Sequence, residues 1–571
     1  MRGVLWLCLG ITLLASACAG GTSPAAAPAP GATAPAVQAP KRIVAAIQGE
    51  PKVLSYKVDA AGAGGTPGVD NLEELLNAGL VKADDKGNVI PQLAVEVPSL
   101  ENGLWTLAPD GRMETTWHIR PDARWHDGTS LTATDLLFTA QVSQDTSLPV
   151  FTDPANALID SITAPDPSTV VVSWKGPFLR ADSLFSRLFS HTLPLPAHLL
   201  ATDYAARPAS FTDLPYWTDQ FVGLGPFKLQ DFARGSHMTL VANDAYVLGR
   251  PKLDEIEVRF IGDSTSLVAN VLAGQVELTL GRGLSIEQAQ EARSQWQGGQ
   301  VVLSFVNWTA LFPQYIDPNP AIIGNVEFRR ALLYATDRQA IVDSLLGGLV
   351  PVADGYLSPQ DQANLGVADD VVRYPFDLAR AEQTLRDLGI TKGADGVYHD
   401  ATGAPLAPLE VRASEQIELQ PKALLAVTAQ WQQAGFPVTP VVIPNQRIPD
   451  KEYRATMPGF ELVRQPNDVD AINRYHSAQV PLPENHFTGV NRARYRDPVL
   501  DELIDRYDVT IPQDQRREVL RQLIHRFTDQ VVVLGLYYEV DPSFVGNRLL
   551  NIGLRSQLAT QSWNAEQWDV K

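Results

Sequence analysis

The chain is nearly free of cysteine: Cys8 and Cys18 are the only two in 571 residues. That excludes a disulfide framework beyond residue 18, and the small stapled scaffolds that depend on one. There is no CxxC, no HExxH and no GxSxG, so zinc-peptidase and nucleophile-elbow chemistry have no motif to stand on. The glycine-rich GAGGTPG (Gly62–Gly68) lacks GK[ST] and does not match GxGxxG, which sets aside phosphate-loop and dinucleotide binding. Cations are also scarce. Lys plus Arg number 46 against 65 Asp plus Glu, a net charge of −19. Nucleic-acid affinity comes largely from Lys and Arg, so this balance argues against it. No segment beyond the N-terminus offers about 18 unbroken apolar residues, the length needed to span a bilayer as a helix.

What is there begins with MRGVLWLCLGITLLASAC. Arg2 supplies a positive start, and Val4 to Ala15 is an apolar run too short to span a membrane. Small residues then precede Cys18. This segment resembles the lipobox of bacterial lipoproteins, with Leu14 one place further from the cysteine than usual. The resemblance implies a signal peptide over 1–17 and lipidation at Cys18. Residues 19–40 are Ala/Pro-rich and uncharged, and read as a semi-extended tether.

From Lys41 onward the composition is that of an ordinary soluble globular protein, 45% hydrophobic and 19% charged. The length predicts two or more domains. KRIVAAI reads as a first strand. DNLEELLNAGL reads as an amphipathic helix with Asp70 at its N-cap. Strand-like runs recur at 169–174, 237–242, 256–261 and 437–443, and helix-like runs at 327–347, 378–389, 423–435 and 515–530. Interleaved strands and helices predict an α/β fold.

One stretch, WHIRPDARWHDGTSLTATD (117–135), gathers two histidines, three aspartates, two arginines and two tryptophans. A metal or acid–base centre is one reading. A strand ending at Arg120-Pro121, a turn at Asp127-Gly128 and a helix capped by Thr132 with Asp135 is the other. The second accounts for most of these residues without chemistry, and leaves His118 and His126 as no metal site.

The same stretch resembles the signature of the solute-binding family 5 proteins, receptors for dipeptides, oligopeptides and nickel in ABC importers. Further landmarks follow in that family's order: VGLGPFKL (222–229), ANDAYVLGRPKLDEIEVRFI (242–261), VANVLAGQVEL (268–278), EFRRALLYATDRQAIVDSLLGG (327–348), YPFDLARAEQTLRDLG (374–389) and NRARYRDPVLDELID (491–505). The resemblance covers about 41–571. It implies a two-lobed periplasmic-binding-protein-like fold of type II, in its large three-subdomain form, with a hinge and a central cleft. Lobe one would comprise 41–277, with an extra subdomain at about 71–205. Lobe two would comprise 278–534, and 535–571 would return to lobe one.

The resemblance also implies a function and a site. The protein would be a non-catalytic, monomeric, extracytoplasmic receptor, held to the membrane by lipid, that needs no cofactor and hands a small ligand to a membrane permease. Peptides are the first expectation; nickel chelates, opines and oligosaccharides are alternatives, as are a sensory binding protein and a secreted hydrolase. In GFELVRQPNDVDAIN (459–473), Asp470 falls where peptide receptors hold the ligand's amino group, and Arg464 on a basic position six earlier. Asn467 stands where tryptophan is usual, and Asp468 is a rival acid. Gly64 and Gly65 are implied backbone contacts. Trp308 and Tyr356 are implied cleft aromatics, with core packing as their alternative role.

Overall fold

The computed structural model describes residues 39–60, 65–281 and 283–571. Cys18 and Gly64 lie outside them. The architecture is mixed α/β and two-lobed. Ten strands form one sheet: β1 (Arg42–Ile47), β2 (Phe227–Ala233), β3 (His237–Ala242), β4 (Glu255–Phe260), β5 (Leu278–Thr279), β6 (Gly299–Pro313), β7 (Leu409–Ser414), β8 (Val438–Ile443), β9 (Phe460–Gln465) and β10 (Leu534–Gly546). Their order across the sheet is β8-β7-β9-β6-β10-β5-β1-β4-β3-β2. β1 lies parallel to both its neighbours, β4 and β5. Ile43, Ala45, Ala46 and Ile47 are all fully buried, which is why this strand reads as an apolar run rather than an alternation.

Two long strands join the two halves of the sheet. β6 and β10 pair antiparallel from Gly299↔Gly546 to Leu311↔Leu534, with register shifts between Phe305 and Asn307 and between Thr309 and Ala310. At one end β6 continues against β9, from Trp308↔Gln465 to Pro313↔Phe460. At the other end β10 meets β5 at Val545↔Leu278. At the rise of a strand, each spans roughly 45 Å.

A separate four-stranded antiparallel sheet runs Trp105–Leu107, Met113–His118, Thr169–Trp174, Ile159–Asp166. Trp105, Trp117, Trp125 and Trp174 fill its core. The stretch 117–135 is therefore structural. Gly128 takes the left-handed conformation at the turn (φ 93), and the Thr129 N–H donates to Asp127 Oδ1 at 2.9 Å. His118 Nδ1 meets Thr169 Oγ1 at 3.2 Å. His126 sits between backbone groups, accepting from Gly223 N–H on Nδ1 at 3.2 Å and donating from Nε2 to Gly225 O at 3.1 Å. Burial pushes its pKa down to about 4, so it stays neutral.

Two local readings differ from the sequence. The helix at Val69–Leu76 is capped by Gly68, with φ 95, and Asp70 lies inside its first turn. A β-carbon at Gly68 would come within 2.7 Å of Ile47 Cγ2, so the close approach of this loop to β1 selects glycine at the cap position. The apolar run at 327–347 is two helices, Val326–Tyr334 and Arg338–Leu346. Asp337 breaks it by accepting the Ala340 N–H at 2.9 Å and so starting a second helix.

The helix Ala133–Gln144 opens on the expected capping box. Asp135 is 4% exposed. One of its oxygens accepts the Thr132 N–H at 2.9 Å and the other the Ala197 N–H at 2.9 Å. Replacing Asp135 by alanine strands two backbone donors, and is expected to lower the unfolding free energy by about 2 kcal/mol. Urea titration of Asp135→Ala beside the parent protein measures this; a change within error would show that water replaces the carboxylate freely.

Candidate functional site

A cavity of about 640 Å³ lies where the segment after β9 faces the elements around Tyr56, Glu73 and His191. β9 ends at Gln465, and Pro466 turns the chain into the cleft. Asp468 then accepts the Ala471 N–H at 2.9 Å, which starts the short helix Asp470–Tyr475. Ile472 and Tyr475 anchor that helix in an aromatic core, leaving Asp468 and Asp470 on the cavity wall. Asp470 is one-third exposed, and its carboxylate pairs with the Arg180 guanidinium.

Lys57, Glu73 and Arg187 line the same cavity. Lys57 donates from Nζ to Thr152 O at 3.0 Å and Thr192 Oγ1 at 3.1 Å. Burial lowers its pKa, against the pull of Asp153 and Glu73. Arg187 reaches the same cavity and donates to Leu558 O at 3.0 Å. Behind it, His191 Nδ1 and Asp153 Oδ1 lie 2.7 Å apart. Burial would raise Asp153, but the His191 hydrogen bond and charge outweigh it and hold the carboxyl below its ordinary range. Phe151, Tyr216, Trp217 and Phe221 supply apolar surface to the same cavity.

The expected site residues among those described fall into four groups. Asp468 and Asp470 line the cavity. Asn467 and Arg464 are close in sequence but turned to structural partners. Asn467 is fully buried and accepts from Gln557 Nε2 at 2.6 Å. Arg464 pairs with Glu539 at 2.7 Å. Trp308 and Tyr356 are packed against each other and Phe527, at 2% and 0% exposure, in the core beneath. Their alternative role as packing residues describes where they sit. Gly65 (φ 48) lies against Asp59, which also holds the Thr66 N–H, and is not part of the cavity lining. The sequence reading missed Lys57, Glu73, Arg180, Arg187 and His191. No spacing links them; only the fold brings them to one cleft.

Comparison with known proteins decides the family. The profile of the bacterial extracellular solute-binding proteins, family 5 Middle, matches residues 89–492. The chain belongs to this family. The oligopeptide-binding protein AppA of Bacillus subtilis is 24% identical over 532 residues, covering 91% of this chain and 90% of that protein. Among solved structures, HbpA2 from Haemophilus parasuis superposes with a TM-score of 0.73 at 16% identity, covering 93% of this chain and all of the other. NikZ from Campylobacter jejuni, solved with Ni(L-His), superposes at 0.65 with 19% identity, covering 92% and 99%. The fold is the two-lobed type II binding-protein fold. This family 5 member is an extracytoplasmic solute-binding protein of the ABC-transporter class, not an enzyme.

Glu73 gives the cavity a pH signature. Burial raises its pKa from 4.5 to about 7, against hydrogen bonds from Tyr56 N–H and the Ser55 hydroxyl. In the unfolded chain it loses its proton first. Between these two values the native state therefore holds more protons, and stability falls as pH rises from 4.5 to about 7. Glu73→Gln is expected to flatten that decline in thermal melts recorded across the window. An identical slope in both proteins would assign the decline to other groups.

Proposed function

We propose that this receptor captures a peptide by closing its lobes over the cavity and delivers it to a membrane permease. The observation that carries the reading is the polarity of the cavity. The cavity wall holds acids, Asp468 and Asp470, and cations, Lys57 and Arg187, together with aromatic side chains. A zwitterion needs this, because each buried charge requires a partner of opposite sign. The volume falls in the range that encloses a drug-sized ligand. The name of the Bacillus relative supports the same class. Lipid anchoring at Cys18 rests on the N-terminal motif, and the tether that follows would give the receptor reach.

The hinge belongs to β6 and β10 in this reading. The helix Ile286–Gln295 buries Ala292 against Ala46, Leu267 and Phe544, so lobe one extends to about 298. That is later than the 278 boundary implied by motif order. Two connections of extended chain allow one lobe to rotate on the other as a rigid body.

A second reading has its own support. Arg180 already neutralises Asp470, which favours a ligand without a free amine, such as a nickel chelate, an opine or an oligosaccharide. Native mass spectrometry of protein isolated without denaturation separates the two. The expected adduct is a peptide, and Asp470→Ala is expected to weaken calorimetric affinity for free-amine peptides roughly tenfold, the effect of about 1.4 kcal/mol, while sparing N-acetylated ones. A non-peptide adduct would overturn the peptide assignment; equal loss for both peptide types would overturn Asp470 as the partner of the ligand amine. In membrane fractionation, Cys18→Ser protein is expected in the soluble fraction; continued sedimentation with membranes would contradict the anchor.

A further inference from the structure

The central cavity has a neighbour. A second chamber of about 790 Å³ lies on the far side of Asp468 and Asp470, bounded by Asp361, Tyr507 and Arg516. The two chambers share Phe189, Asp468, Asp470 and Leu558 as wall residues. Each alone is large enough to enclose one drug-sized ligand, so a compact solute needs only one of them.

The partition between them is built around a single ion pair. The Arg180 guanidinium pairs with Asp470 and stacks over Phe189, 4.3 Å from the ring centroid. Phe189 holds a left-handed backbone (φ 52), which a bulky residue adopts only where its surroundings impose it. The neighbouring Leu179 is buried in the core that contains Trp308 and Tyr475, so the base of Arg180 is fixed. Its tip is not. The two side chains are 22% and 33% exposed, and a partly exposed ion pair exchanges partners at little cost. On the second-chamber side a replacement partner is waiting. Asp182 lines that chamber and has a buried Oδ1 with no hydrogen-bond partner; burial raises its pKa against the charges of Arg180 and Arg516, and a guanidinium brought closer would hold it ionised.

We propose that Arg180 is a specificity-determining residue that sets ligand length. Paired with Asp470, it keeps the chambers separate and favours a compact peptide in the first. When an extended peptide takes Asp470, the guanidinium moves to Asp182 and the chambers join, so that the peptide runs through both; a compact peptide sets its ammonium against Asp468, and the partition stays shut. This inference rests on the peptide reading of the cavity.

The test uses the full chain, stripped of bound solute and incubated with a tryptic digest of casein, and native mass spectrometry to measure the lengths retained. Arg180→Ala is expected to enrich the longer peptides by about threefold over the parent, the size of one partly exposed ion pair. Arg180→Lys keeps a cation at the position and is expected to restore the parent distribution. A merely structural role would lower the melting temperature of Arg180→Ala without moving the length distribution, and that result overturns the proposal. Retention of peptides by both proteins with unchanged lengths defeats the length gate alone. Retention of no peptide by either defeats the gate and the peptide reading together.

Discussion

The strand pair β6 and β10 is the constraint on which the rest of the molecule depends. A sheet tolerates no gap in its ladder without leaving buried backbone groups unpaired. Because these two strands run through both lobes as one ladder, each lobe is built outward from a shared pair of edges. β9 and β7 grow from one end, β5 and β1 from the other. Two acids along the pair are matched to arginines. Glu539 meets Arg464 at 2.7 Å and also Thr309, and Asp541 meets Arg555 at 2.8 Å. The position of the cleft follows from this frame, since the segment after β9 must turn back across it.

The cleft is closed by apolar exchange as well as by charge. Leu179, from the loop beyond the four-stranded sheet, is buried in the core around Trp308. In return Ile511 is buried in the core of that sheet, beside Trp105 and Trp125. Each insertion removes apolar area from water only while the two sides are together, so both favour the closed arrangement. Arg180 is the residue after Leu179, which is why its ion pair with Asp470 falls at the seam.

Much of the fold was legible in the sequence. Strands such as HMTLVA matched their observed bounds because they alternate against a buried face. The capping box at Thr132 and Asp135 was legible because it is local chemistry between residues three apart. The break at Asp337 was missed because its apolar periodicity continues across the cap. The site was legible only in part. Asp468 and Asp470 sit in one short stretch that motif order located. Lys57, Glu73, Arg180, Arg187 and His191 come from four separate segments whose sequence carries no shared pattern. Trp308 and Tyr356 show the converse: an aromatic in an apolar run reads the same whether it faces a ligand or a core, and here the core holds both.

In the function proposed above, two lobes joined by β6 and β10 close on a bound solute. Small-angle X-ray scattering of the protein as isolated, and again after its solute has been stripped and the loss verified by mass, tests this most directly. Closure on the solute predicts a larger radius of gyration after stripping and a return to the smaller value when solute is restored. Superimposable scattering curves for the loaded and stripped protein would contradict it.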